Sequence, residues 1–194
     1  MPSRMSESPS KVIAPGLAEA SFCPHGSAVL ITAIALALAS ECPFVDVWAT
    51  DLSRDGLIHT DKWLQREHLR GYTHMADLIV SPFPSNFFDG VVAFNVVYHA
   101  TQEMVAVCLH EVRRTMRRGA ELLVTFNSVE SDDFGRGVKI DDYTYAKVGG
   151  PEDGIPHYFV DQREVERLLG AFRIDKLRSE EHTSELQSRE TISY

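Results

Sequence analysis

Residues 76–126 read ADLIVSPFPSNFFDGVVAFNVVYHATQEMVAVCLHEVRRTMRRGAELLVTF, and the fold is decided by how this stretch changes its period. Ala76-Asp77 leads into a short loop that closes on Pro82-Phe83-Pro84, and Phe88-Asp89 opens the run Gly90-Val91-Val92-Ala93-Phe94. That run is apolar, rich in β-branched residues and short, as a buried parallel strand is; the strand is expected to end at Asn95. From Ala100 onward Met104, Val105, Cys108, Leu109, Val112 and Met116 recur at three- and four-residue spacing, with Glu103, His110, Arg113, Arg114 and Arg117 between them. This is the pattern of an amphipathic helix. Arg117-Arg118-Gly119 sets basic residues at the negative end of the helix dipole and a glycine able to take the left-handed stop conformation. Glu121-Leu122-Leu123-Val124-Thr125-Phe126 then reads as a second strand. A strand-helix-strand unit of this kind forms a right-handed crossover in a parallel sheet.

On these residues the chain resembles the class I S-adenosylmethionine-dependent methyltransferases, in the broad small-molecule group called type 11. The matching phrases are Ala76-Asp77-Leu78, Pro82-Phe83-Pro84, Phe88-Asp89, Phe94-Asn95-Val96-Val97-Tyr98-His99 and Arg117-Arg118-Gly119. The family usually has Arg-Pro-Gly-Gly at the last of these, so Arg118 and Ala120 are departures. Upstream, Val45-Asp46-Val47-Trp48-Ala49-Thr50-Asp51-Leu52-Ser53 looks like the family's second strand. Downstream, Asp133-Phe134-Gly135-Arg136-Gly137 and Gly154-Ile155-Pro156-His157-Tyr158-Phe159 look like the insert that one branch places over its active site. The resemblance spans Ile34 to Leu177. It implies an α/β fold: a Rossmann-like, mostly parallel sheet with helices on both faces.

The resemblance also implies S-adenosylmethionine as cofactor, held by the phrases Asp51-Leu52, Asp77-Leu78 and Asn95-Val96. Two neighbouring ribose hydroxyls suit one carboxylate at a strand's carboxyl end, which is where Asp51 falls; the other reading of Asp51 is a helix N-cap or turn acid. Asp77 follows the next strand, where the family accepts the adenine amino group, or it too is a turn acid. Methyl transfer asks mainly for in-line positioning and exclusion of water, and a base helps where the acceptor must lose a proton. His99 and His157 are the candidate catalytic residues. His99 is either a substrate-pocket donor or a helix cap, and His157 either walls the active site beside Tyr158 and Phe159 or sits in a solvated loop.

Both ends depart from the family pattern. Its first strand ends in an acid and a glycine-rich turn that lets the backbone approach the cofactor. Between Met1 and Val29, Gly16 and Gly26 are isolated, and Pro15 and Pro24 interrupt any strand. Residues 1–27 are therefore expected to be a disordered or misread leader, and the sheet to be incomplete at the first strand loop. Thr32 to Ala39 resembles the body of the family's first helix; Ala37-Leu38-Ala39 behind Arg4 and Lys11 also has the outline of a secretory signal. Residues 28–177 form the domain, with 128–160 as a lid or insert. Asp161-Gln162-Arg163-Glu164 reads as a capping box, Val165, Leu168, Leu169 and Phe172 as the face of a short helix, and Phe172 to Leu177 as a strand. Arg178 to Ser188 resembles the in-frame translation of a common short-read library adapter, and the frame runs on to Ile192-Ser193-Tyr194. Residues 178–194 are thus expected to be a non-native tail that leaves the last strand missing and an edge unpaired.

The 194 residues are 44% hydrophobic and 24% charged, which is usage for one globular domain. A formal charge of −9 suits nucleic-acid phosphates poorly; the resemblance implies a small-molecule methyl acceptor as partner, with neither nucleic acid nor membrane. Three cysteines make no disulfide framework; Cys108 lies on the buried helix face, and Cys23 and Cys42 lack metal-ligand spacing, so no metal is expected and a cytoplasmic setting fits. The leading reading is a methyltransferase acting on a small molecule by in-line displacement. The alternatives are a catalytically inactive methyltransferase-like binding protein or truncated gene product, and a nicotinamide-dependent oxidoreductase, which would need a G-x-G-x-x-G turn that is absent here.

Overall fold

In the computed structural model the described residues are 10–15, 38–41, 45–178 and 190–193. Seven strands make one sheet: β1 (Ser10–Pro15), β2 (Val45–Asp51), β3 (Gly71–Met75), β4 (Phe88–Ala93), β5 (Met116–Val124), β10 (Arg173–Lys176) and β11 (Glu190–Ser193). Their order is β10-β11-β5-β4-β1-β2-β3. The pairs β1–β2, β1–β4, β2–β3 and β4–β5 are parallel, while β11 is antiparallel to both β5 and β10. The strand order reverses at β1, which places the ligand crevice of an open α/β sheet at the carboxyl ends of β1, β2 and β4.

The finding at β1 corrects the expectation of a strandless leader. Ser10–Pro15 lies in parallel register with β2, from Ser10 opposite Val45 to Pro15 opposite Thr50. Proline is the last residue of this strand, so its missing amide ends the ladder and does not interrupt it. Isolated Gly16 and Gly26 and most of the Thr32 to Ala39 segment fall outside the described residues. At the end of that segment residues 38–41 are helical, and Ala39 is buried with Val47, Ala49 and Leu64. The last-strand position, expected to be vacant, holds β11, from Glu190 opposite Val124 to Ser193 opposite Glu121. Backbone amides and carbonyls make such a ladder, so the segment's side chains need not be those of a native strand to fill the place.

Helix α1 (Arg54–Arg66) follows β2 and is capped by Ser53, whose hydroxyl accepts from Gly56 N at 3.1 Å. Helix α2 (Gln102–Thr115) buries Val105, Cys108, Leu109 and Val112 against Val91, Leu122 and Val124 of the sheet, as its period predicts. Two details of that prediction are corrected. Met104 is exposed, and the helix stops at Thr115, so that Met116 and Arg117-Arg118-Gly119 belong to β5. Gly119 has a φ of 79°, and the β4–β5 register slips alongside it, from Phe88 opposite Met116 to Gly90 opposite Glu121. The glycine thus relieves an irregularity in a strand and does not terminate a helix.

Residues 127–160 form a second, four-stranded sheet. It comprises β6 (Asn127–Ser128), β7 (Val138–Lys139), β8 (Thr144–Ala146) and β9 (Pro156–Val160), in the order β6-β9-β8-β7. Tyr158 and Phe159 are fully buried, and a backbone bond from Tyr158 N to Tyr98 O, 2.8 Å, fastens β9 to the loop after β4. Helix α3 (Gln162–Leu168) begins at Asp161, whose carboxylate accepts from Glu164 N at 2.8 Å. The expected capping box is half realised. Glu164 turns away from the cap and accepts from the Tyr158 hydroxyl, from Gln102 Nε2 at 3.0 Å and from Arg167.

Candidate functional site

Asp51 ends β2 at the crevice, and its side chain is completely buried. One carboxylate oxygen, Oδ1, accepts from Ser53 N at 2.9 Å; the other, Oδ2, is buried without a hydrogen-bond partner. Ser53 caps α1, so Asp51 is not the helix cap. Burial raises its carboxyl above the ordinary value, against the amides of Ser53 and Leu52, which favour the charged form. A buried carboxylate oxygen left unpaired costs about 1–3 kcal/mol or more, which a bound hydroxyl donor would recover. Leu52, next to it, is exposed.

Asp77 follows β3 and makes a turn: its Oδ1 accepts from Ile79 N at 3.0 Å, and its backbone bridges Val80. One oxygen of Asp77 thus serves the turn. Leu78 packs against the main core. Asn95, immediately after β4 and Phe94, is in the left-handed region with a φ of 52°, a conformation that asparagine adopts more readily than most residues. Val96 behind it is buried. The three expected cofactor phrases therefore lie at the carboxyl ends of β2, β3 and β4, with β1 between β4 and β2.

The two candidate histidines, 58 positions apart in sequence, meet in space: their ring centroids are 4.6 Å apart and nearly perpendicular, at 85°. His99 stands on the loop after β4, where its amide donates to Val96 O at 3.3 Å. His157 stands on β9, opposite Tyr145 of β8. Each histidine side chain is more than nine-tenths buried, which sets aside a solvated-loop role for His157 and a capping role for His99, since α2 is capped at Thr101. Tyr98 closes one side, its ring 4.4 Å from His99 and 6.0 Å from His157. Burial pushes the Tyr98 hydroxyl pKa up and the His157 imidazole well down, with His99 adding to the latter.

Sequence reasoning missed the third member of this group, Glu152. Its Oε1 lies 3.4 Å from His99 Nε2 and its Oε2 lies 3.4 Å from His157 Nε2. The His99 contact foremost, and the charges of His157 and Lys147, hold the carboxylate below its ordinary range against the opposing effect of burial. Glu152 sits in a turn dense with Gly149, Gly150, Pro151 and Gly154, and no spacing marks it as a partner of either histidine.

The methyltransferase domain family matches residues 29–124, about half the chain and including β2, β3, β4 and α2. Residues 29–124 are a methyltransferase domain. The unpaired buried oxygen of Asp51 at the crevice fits a cofactor that presents ribose hydroxyls, as S-adenosylmethionine does. Solved structures agree on the fold. An S-adenosylmethionine-dependent methyltransferase from Methanosarcina mazei is similar with a TM-score of 0.71 at 13% identity, over 96% of this chain and 93% of that one. A protein from Pyrococcus horikoshii is similar at 0.72 and 13% identity, over 98% and 84%. Magnesium protoporphyrin IX methyltransferase from Synechocystis, with S-adenosylhomocysteine bound, is similar at 0.66 and 14% identity, over 94% and 73%. No curated protein matches the chain. Among the described residues no helix is long and apolar enough to cross a membrane.

Proposed function

We propose that this methyltransferase acts on a small-molecule acceptor, with Asp51 receiving the ribose hydroxyls, Asp77 the adenine amino group, and the backbone at Asn95-Val96 the remainder of the cofactor, flanked by Leu52 and Leu78. The observation that carries the reading is Asp51 itself: a fully buried carboxylate at a strand end with one oxygen satisfied by Ser53 N and the other unpaired. Bound cofactor supplies an electrophilic methyl group on a sulfonium. The chain's part is then to hold the acceptor in line and keep water out. His99, His157 and Tyr98, under the second sheet, wall the space beyond Asn95 and provide imidazoles for an acceptor proton. The formal charge of −9 favours a small acceptor over a nucleic acid.

Calorimetric titration of the full chain with S-adenosylmethionine tests the assignment. Asp51→Ala is expected to weaken binding at least tenfold and Asp77→Ala several-fold, with the circular dichroism spectrum retained. Unchanged affinity in both variants would overturn the placement of the cofactor.

A further inference from the structure

We propose that His99, Glu152 and His157 form a binding site for a divalent first-row transition metal, with zinc(II) as the reference ion and a coordination position left open to an acceptor hydroxyl. The metal site stands on its own geometry; the acceptor hydroxyl rests on the methyltransferase reading above.

Among the described residues these three side chains each bring a ligand atom to within 4.8 Å of the others. The two nitrogen-to-oxygen distances are both 3.4 Å. That is too long for a good N–H···O hydrogen bond, which lies near 2.7–3.2 Å. Ligand atoms around an ion with bonds of about 2.1 Å lie roughly 3.4 Å apart; because the two contacts use different carboxylate oxygens, the carboxylate would turn to offer one of them to the ion, which keeps the fourth position open. His157 Nε2, the atom that faces Glu152, is buried with no hydrogen-bond partner. A ring nitrogen so placed carries an unmet polar demand, and an ion between it and the carboxylate would meet it.

The scaffold presents the three ligands from three supported positions. His157 is fixed in β9, paired with β8. His99 is fixed to β9 through the neighbouring bond from Tyr158 N to Tyr98 O, 2.8 Å. Glu152 is set by a turn closed by Gly154 N to Lys147 O, 2.9 Å, and by Ile155 N to Glu152 O, 3.0 Å. The charge of Lys147 acts on Glu152 and His157, and its ammonium is bound to Asp133 at 2.7 Å, which offsets its repulsion of a metal ion. Two imidazoles and one carboxylate with a free fourth position is the donor set of catalytic zinc sites.

In such a site the two imidazoles would serve as ligands in place of acting as bases, and an acceptor hydroxyl bound to the ion would release its proton to solvent. Its oxygen would then form the bond to the methyl carbon as the carbon–sulfur bond breaks, with the electron pair of that bond remaining on sulfur.

The test is titration of chelator-stripped full chain with cobalt(II), read by visible d–d absorption, followed by displacement with zinc(II); the same preparation is titrated with S-adenosylmethionine. One equivalent of cobalt giving intense tetrahedral-type bands that zinc abolishes is expected. His157→Ala and Glu152→Gln are each expected to lower cobalt affinity at least tenfold. Because Glu152 is partly exposed, Glu152→Gln keeps the fold, checked by circular dichroism, and remains decisive if His157→Ala does not fold. Absence of cobalt bands in the wild type, or unchanged affinity in Glu152→Gln, would overturn the metal site. Cofactor binding without cobalt binding rejects this site and leaves the proposed function standing; cobalt binding without cofactor binding upholds the site and rejects that function.

Discussion

Asn95 and Thr125 exchange two hydrogen bonds across the carboxyl ends of β4 and β5. Asn95 N donates to Thr125 Oγ1 at 2.7 Å, and that hydroxyl donates to Asn95 Oδ1 at 3.1 Å. Thr125 is fully buried, and Asn95 is half-buried. The pair holds Asn95 at a φ of 52° just past the end of β4.

Thr125→Val keeps the shape and removes the hydroxyl, leaving the Asn95 amide without its acceptor. A loss of about 1–3 kcal/mol in stability is expected, together with a several-fold weaker affinity for S-adenosylmethionine. Thr125→Ser is expected to restore both. Urea denaturation and cofactor titration of the two variants check this; equal behaviour of valine and serine would mean that the hydroxyl does not hold Asn95.

The parts of the site that lie at strand ends were legible from period alone. Asp51 and Asn95 are where an alternating or apolar run stops, and a parallel sheet sends those stops to one edge. Glu152 was not legible, because a turn brings it to His99 and His157 from another part of the second sheet, and no local spacing records that contact. Ser10–Pro15 was missed for a different reason: six residues that include Ser10, Lys11 and Pro15 carry a weak strand signal, and their place is fixed by pairing on both sides with β2 and β4. Gly119 was misplaced because a positive φ serves a helix stop and a strand irregularity equally well.

The second sheet depends on Gly137. Its φ is 100°, and a Cβ there would lie 2.1 Å from the carbonyl oxygen of Ala146. Gly137→Ala is therefore expected to part the β7–β8 pairing and cost about 1–3 kcal/mol. Limited proteolysis should cut faster within residues 136–148, and affinity for the methyl acceptor should fall more than affinity for S-adenosylmethionine. Unchanged cleavage would show that the pairing tolerates the side chain.

Arg114 fastens the loop after Asp77 to α2. Its guanidinium donates to Phe83 O at 3.0 Å, to Ser81 O at 3.1 Å and to both oxygens of Glu111. Removing it in Arg114→Ala strands two carbonyls and is expected to lower stability by about 1–3 kcal/mol. Arg114→Lys should recover only part of this, since an ammonium does not reproduce the planar fork. Hydrogen exchange at residues 79–88 is the direct readout; faster exchange in both variants is expected, and no change would show that Pro82 and Pro84 hold the loop without the arginine.

Glu164 makes stability fall in acid. The Arg167 guanidinium, helped by the Tyr158 hydroxyl and Gln102, holds its carboxyl at about 2 against an ordinary 4.5. A folded-state value below the unfolded one gives stability that is present in full above about pH 4.5 and is lost as the pH falls through about 2. Glu164→Gln should therefore be less stable than wild type at neutral pH, by about 1–3 kcal/mol after allowing for the solvent that screens half-exposed Arg167. The difference should narrow steadily as the pH falls from about 4.5 toward 2. Urea midpoints across that range decide it: parallel wild-type and variant curves would mean that the carboxylate is not held low, and that Tyr158 is fixed over the site by packing alone.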